Sequence, residues 1–448
     1  MIFSLDLRPA LKGDCFLLHF GTAKKPGLVI VDGGPKTVYA KYLKPRIKQI
    51  RDARKLSGMN SLPVDLLMVS HVDDDHIQGI LDLTEEEIRS VDAHRPRMID
   101  VMSFWHNSFD AILDRNTKDI DNSIRKNFQS AMKGGQLTDV DKERLQSCFI
   151  AAHPEDDDGS NLENVSSALM VLASIAQGYR LRKDAERLKY PSNPEFNGKL
   201  VLAKAKPKPI SFGNGLKLTV VGPMEPEILA LRKMHQEWLD KLAKQGLSAD
   251  EALATYVDKS IPNLSSIVVM AEANGKRMLL TGDARGDKVI EGLQFAGLLA
   301  AGDSSKIEVD LLKAPHHGSA RNLDHDFFER IIAQHYVFSG NGQHGNPERE
   351  SFEMLIAARG DDAYQVHLTY PVEIIDQFRK EDWEKERNKE VNRKAKKIRP
   401  AWSAKKHSLA ALLKDNPEFA GKIRVVEEGA SHVIDLDDKL GDAWPKLA

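Results

Sequence analysis

Leu66-Leu67-Met68-Val69-Ser70-His71-Val72-Asp73-Asp74-Asp75-His76 decides how the rest of this chain is read. The first four residues form an apolar run of the length expected of a buried strand. The six positions from His71 to His76 then carry two histidines and three aspartates. Imidazole and carboxylate groups are costly to bury unless paired, and one divalent cation can pair several of them at once. A strand that delivers such a cluster to its C-terminal end is half of a metal site. The competing reading is a solvated acidic loop with incidental histidines.

Three later segments repeat the pattern of an apolar run followed by ligand-type residues. Met278-Leu279-Leu280-Thr281-Gly282-Asp283 follows Ser265-Ser266-Ile267-Val268-Val269-Met270, and Asn274-Gly275 between them is a strong hairpin turn. Val309-Asp310-Leu311-Leu312-Lys313-Ala314-Pro315 runs into His316-His317-Gly318-Ser319. Tyr336-Val337-Phe338-Ser339-Gly340 runs into Asn341-Gly342-Gln343-His344-Gly345-Asn346. On an extended segment adjacent side chains point opposite ways, so one of His316 and His317 is expected to reach a given metal. His316 is the expected ligand, and His317 a proton donor or supporting group. Lys313, just before them, is a candidate catalytic residue.

Upstream, Ile2 to Leu7 and Cys15 to Phe20 read as strands joined by a turn at Lys12-Gly13-Asp14. Leu28-Val29-Ile30-Val31 reads as a third, ending at Asp32-Gly33-Gly34, where glycine lets the backbone turn sharply. Val38, Tyr42, Leu43, Ile47 and Ile50 recur at helical spacing and predict an amphipathic helix. A short helix is expected from Leu81 to Ser90 and a strand from Met98 to Phe104. Residues 108–260 read as a largely helical insertion, with strands near 199–203 and 216–221 inside it. Residues 372–448 read as a charged helix, from Ile374 to Lys397, followed by short strands that pack back on the body.

The pattern His71-x-Asp73-x-Asp75-His76 resembles the signature of the metallo-β-lactamase fold, and the aspartate at its second ligand position is similar to the branch that includes the hydrolase domain of ComEC-type DNA-uptake proteins. Pro315-His316-His317-Gly318-Ser319 resembles the same branch, as do Asn263 and Ser266 spaced as Asn-x-x-Ser ahead of Asp283. The resemblance spans most of residues 1–371. It implies an α/β, four-layer αβ/βα sandwich with two divalent metal ions, zinc or manganese, at one edge. It implies metal ligands at His71, Asp73, Asp75, His76, Asp283 and His316, with Asp283 bridging and Asp75 and His317 also catalytic. It gives supporting roles to Asp32, Asn263 and Ser266, for which a plain turn aspartate is the alternative at Asp32. Relatives carry Gly-His-Pro where this chain has Gly345-Asn346-Pro347, which leaves His344 as a displaced candidate in the supporting set.

These expectations together describe a metal-dependent hydrolase, a two-metal phosphodiesterase or nuclease acting on DNA or RNA through an activated water. The alternatives are a metallo-hydrolase of a small molecule such as a nucleotide, lactone or thioester, and a metal-stabilised interaction subunit with protein partners. Lys396, Lys397 and Arg399 around Trp402 suit a nucleic-acid backbone and a stacking base, or equally a solvated helix end. A net charge of -2 over 448 residues supplies no global pull toward nucleic acid. With 41% hydrophobic and 29% charged residues the composition is that of a globular protein. Cys15 and Cys148 make neither a disulfide framework nor a Cys-x-x-Cys zinc site. The first residues do not read as a signal peptide, and no apolar run reaches the ~18 residues of a membrane span. A cytoplasmic protein without a membrane partner is the expectation.

Overall fold

The computed structural model describes residues 1–56, 60–108, 112, 177–230, 232–233, 265–392, 395, 397–426 and 432–437. Strands β1 Ile2–Leu7, β2 Phe16–Gly21, β3 Pro26–Val31, β4 Leu62–Val64, β5 Leu66–Met68, β6 Ile99–Val101 and β7 Phe104–Trp105 come first. Strands β8 Ile210–Ser211, β9 Lys217–Gly222, β10 Val268–Ala273, β11 Lys276–Leu280, β12 Ile307–Lys313, β13 Ile331–Phe338, β14 Gln365–Leu368, β15 Ile423–Val425 and β16 His432–Asp435 follow. They build a six-stranded sheet in the order β16-β1-β2-β3-β5-β7 and an eight-stranded sheet in the order β15-β14-β13-β12-β11-β10-β9-β8. A small parallel pair, β4 with β6, lies beside the first sheet.

Period-two alternation sorts the apolar residues of each strand onto two faces. Phe3, Leu5, Leu7, Leu18, Val29 and Val31 of the first sheet share one core with Leu218, Val269, Ala271, Leu280, Leu311 and Val337 of the second. The two sheets therefore pack face to face. The outward residues Leu17, Leu28, Ile30 and Leu67 join Ile47 and Ile50 of helix α1 (Lys44–Ala53) and Ile77, Ile80 and Leu81 of helix α2 (Asp74–Asp92). Val268, Met270, Leu279 and Leu312 join Val289 and Leu293 of α3 (Gly286–Phe295), Phe352 and Leu355 of α4 (Arg349–Arg359), and Ile375 of α5 (Val372–Asn392). The result is the expected helix–sheet–sheet–helix sandwich.

Local departures from the sequence reading have physical causes. The helix expected from Leu81 begins at Asp74, inside the His/Asp cluster. Asp73 is its extended N-cap, and Asp74 and Asp75 place negative charge in the first turn, where the helix dipole favours it. The helix expected from Val38 opens with a π-type turn at Tyr39–Leu43 before α1. The single strand expected from Met98 to Phe104 is two, β6 and β7, belonging to different sheets. The Asn274-Gly275 turn has positive φ at both residues, 55° and 76°, the mirror-image turn that matches strand twist. Among the described residues no helix is long and apolar enough to cross a membrane. Most of the expected insertion lies outside the described residues.

The end of the chain closes one side of the sandwich. β15 extends the second sheet and β16 pairs antiparallel with β1 of the first. Beneath this closure His367 of β14 bridges the sheets: its Nε2 lies 3.0 Å from His335 Nδ1 and its Nδ1 lies 2.8 Å from His432 Nε2. Burial, with the neighbouring His432 and His335 rings, pushes the His367 pKa down to about 2. The folded protein thus keeps this ring neutral while the unfolded chain protonates it below its ordinary 6.5. Stability carried by the bridge is complete above that pH and is lost as pH falls below it, at up to about 1.4 kcal/mol per pH unit. Urea unfolding at pH 7.5 and 5.5 is expected to show this loss, and His367→Phe to reduce the pH dependence by about one proton's worth.

Candidate metal centre

Strand tips from both sheets converge on one carboxylate. β5 ends at Met68 and hands the chain through Ser70 to His71; β11 ends at Leu280 and hands it through Gly282 to Asp283. The N-terminal turn of α2 brings Asp75 and His76, and β12 leads to His316 and His317. Four imidazole Nε2 atoms then surround Asp283. His76 Nε2 is 3.3 Å from its Oδ1; His317, His71 and His316 Nε2 are 3.3, 3.8 and 3.8 Å from its Oδ2. Asp73 Oδ2 is 3.7 Å from His71 Nε2, and Asp75 Oδ2 is 3.9 Å from His317 Nε2.

The other nitrogen of each histidine is held from behind. His76 Nδ1 donates to Asp32 Oδ2 at 2.9 Å. His71 Nδ1 faces Ser70 Oγ at 3.1 Å, and Ser70 in turn donates its N–H and its hydroxyl to Asp32 at 2.7 and 2.6 Å. His317 Nδ1 lies 2.9 Å from Ser339 Oγ and 3.2 Å from Asp14 Oδ1, and the Asn322 amide meets His316 Nδ1 at 2.9 Å. Such backing fixes ring orientation and leaves Nε2 directed inward, as in metal sites.

These residues fit a metal ion. Two ligand atoms each about 2.1 Å from one tetrahedral ion stand roughly 3.4 Å apart, close to several of the spacings here. His71 Nε2 is buried and makes no hydrogen bond among the described residues. Burial and the neighbouring His76 push the His71 pKa down to about 3, so that its lone pair stays available. Burial alone would raise the Asp283 carboxyl, yet the His317 and His76 imidazoles hold it well below the carboxylate range. Burial opposes charge on His76 and His317 too, but Asp283 with Asp32 raises the first well above its ordinary value, and Asp283 with Asp14 raises the second to about 9. The pocket favours positive charge at its centre. Asp14, His76, Asp283 and His317 form one group able to hold an ion, and His71, Asp75 and His76 another.

The expected alternation at His316 and His317 does not occur, because the segment is not extended. Both residues are left-handed, with φ of 46° and 54°, and both rings face Asp283. Gly318, also left-handed, presses against Phe338, where a Cβ would stand 2.5 Å from the ring. Ser266 Oγ accepts the Asp283 N–H at 3.3 Å, while Asn263 lies outside the described residues. His344 pairs with Lys12, at 3.3 Å. Lys396 is also outside the described residues. Arg399 is ion-paired with Glu390 at 2.8 Å, and Trp402 packs with Trp383 and His407, so these groups are engaged within the C-terminal segment.

Sequence reading took Lys12-Gly13-Asp14 for a turn and so missed Asp14. It is buried and paired with Lys313 Nζ at 2.6 Å; that ammonium also donates to the Gly282 carbonyl at 2.9 Å and lies 3.6 Å from Asp283. Burial alone would raise the Asp14 carboxyl, but Lys313 holds it far below the usual range. Gly13 permits this loop to dock, since a Cβ there would lie 1.8 Å from the Asp75 carbonyl oxygen. Nothing local in the sequence announces the contact.

Removing one partner of a buried pair leaves an uncompensated charge. Lys313→Met is expected to cost about 3–5 kcal/mol in chemical unfolding, and adding Asp14→Leu should recover part of that loss.

No protein-family model matches the chain, and no curated protein matches it. Among solved structures, a protein of Parabacteroides distasonis ATCC 8503 provisionally described as a metal-dependent hydrolase aligns over 82% of this chain and 98% of its own. The identity is 8% and the TM-score 0.28, a likeness too loose to carry a fold or an activity across.

Proposed function

We propose that this chain is a metal-dependent hydrolase, and that its substrate is a phosphodiester of the nucleic-acid type. The observation that carries the reading is the set of four inward-facing histidine Nε2 atoms around the Asp283 carboxylate, each backed at Nδ1. The residues that would hold metal fall into two overlapping groups that share His76, one with Asp14, Asp283 and His317 and the other with His71 and Asp75. Histidine with three carboxylates suits zinc, and the carboxylates admit manganese. When bound, such ions would supply Lewis-acid charge to a phosphoryl oxygen and make water a competent nucleophile near neutral pH.

The chain's own residues would do the rest. Asp283 and the imidazoles gathered around it would hold the metal. Asp32, Ser70, Ser339 and Asp14 hold the imidazoles in the ligand orientation. Asp75, at the rim and partly exposed, is the carboxylate placed to take up a proton. The resemblance of the His71-to-His76 segment and of Pro315-to-Ser319 to the ComEC branch supports a nucleic-acid substrate.

The test is metal analysis of the purified protein together with hydrolysis of bis(4-nitrophenyl) phosphate, single- and double-stranded DNA, and RNA, in zinc or manganese. Bound metal and turnover are expected in the parent. His71→Ala and Asp283→Ala should each lower kcat by about a hundredfold or more and reduce metal content. A parent that binds no divalent cation would overturn the metal reading, and turnover of carboxylic esters or thioesters alone would overturn the phosphodiester reading.

A further inference from the structure

Two loops from opposite sheets meet beside Asp75. The loop between β1 and β2 is locked in place: Asp14 N–H donates to the Asp75 carbonyl at 3.3 Å, Gly13 N–H to Ala10 at 2.9 Å, and Leu11 N–H to the Tyr370 hydroxyl at 2.8 Å. The turn after β13 is locked as well, with Gly342 N–H donating to Asn346 at 2.9 Å and Arg379 Nε to Gly345 at 3.2 Å. Each loop carries a non-glycine residue in left-handed backbone, Leu11 at φ 55° and His344 at φ 58°. Strain of this kind persists only where the surroundings enforce it, and it gathers at functional sites.

Between these loops stand Lys12 Nζ and His344 Nε2, 3.3 Å apart. An ammonium can only donate, so His344 Nε2 is the acceptor and its ring proton sits on Nδ1. Two further N–H vectors of the ammonium point elsewhere. Lys12 is half-buried and its charge acts on Asp75, whose Oδ2 is 3.9 Å from His317 at the centre. Lys313 is fully buried and already paired with Asp14 and the Gly282 carbonyl. Lys12 is thus a half-buried cation on a hydrogen-bonded backbone beside Asp75, in contact with the His344 imidazole.

We propose that Lys12 is the anion-recognition residue of this centre, donating to a non-bridging oxygen of a phosphoryl group held there, and that His344 is a positioning residue acting through Lys12. This rests on the phosphodiester reading above. It gives His344 a role in substrate binding, outside the metal ligands.

Inorganic phosphate binding to the metal-loaded, full-length protein tests it, read by calorimetry with metal content and circular dichroism measured on every variant. Lys12→Ala is expected to weaken phosphate binding about tenfold to a hundredfold at unchanged metal content, the scale of one charge-assisted hydrogen bond. Lys12→Arg should retain most of the affinity. His344→Ala should weaken binding less, and His344→Gln, whose carbonyl still accepts from the ammonium, should restore it. Lys25→Ala, in the turn between β2 and β3, should match the parent. With bis(4-nitrophenyl) phosphate the Lys12 loss should fall mainly on KM. Equal phosphate affinity in Lys12→Ala and parent overturns the proposal. Lys12-dependent phosphate binding without diester turnover upholds it and sinks the phosphodiester reading. A parent that takes up no metal, seen from metal content alone, overturns both.

Discussion

Asp283 is the constraint on which the centre depends. A carboxylate this buried is tolerable only with positive charge or strong donors around it. Four imidazoles from two separate segments supply that surrounding, and each is oriented by a further group behind it. The sandwich makes the meeting possible. Its two sheets pack face to face, and β5, β11 and β12 all hand their next residues to the same edge. Removing the charge at Asp283 would leave the histidines with nothing to converge on.

Close backbone approaches set the precision of this arrangement. A Cβ on Gly79 would lie 2.0 Å from the Gly33 carbonyl oxygen, so the loop carrying Asp32 and the helix carrying His76 touch through bare backbone. Gly33 N–H donates to the His76 carbonyl at 2.8 Å and Gly79 N–H to Gly34 at 2.9 Å. Gly13 repeats the device against Asp75. These contacts transmit the position of one sheet's loops directly to the residues around Asp283. Side chains packed around the centre could yield by rotamer changes, whereas backbone against backbone has little room to adjust.

Much of the fold was legible because each strand carries its own signal. Apolar runs at β3, β5, β11, β12 and β13, and the Asn274-Gly275 turn, are local features. The residues following four of those runs are chemically conspicuous, so His71, Asp75, His76, Asp283, His316 and His317 were all candidates before any geometry was known. The conformation at His316 and His317 was not legible, since two consecutive left-handed histidines are held by the Gly318 contact with Phe338 and by hydrogen bonds to Ser339 and Asn322. Asp14 and Lys12 were missed for a related reason. A Lys-Gly-Asp turn looks the same whether it faces water or a buried centre, and only the packing of the β1–β2 loop on Asp75 distinguishes the two. The C-terminal basic residues show the reverse case: a pattern visible in sequence whose Arg399 and Trp402 are engaged by Glu390, Trp383 and His407.

The pairing of β1 with β16 joins residues 2–7 to residues 432–435, nearly the whole length of the chain apart. During synthesis the first strand emerges long before its outer neighbour exists. Until then one flank of the six-stranded sheet presents unsatisfied N–H and C=O groups, a surface that invites other strands. Completion of the sandwich is therefore a late event in the life of each molecule. A product ending just before that final segment would carry an adhesive seam along β1.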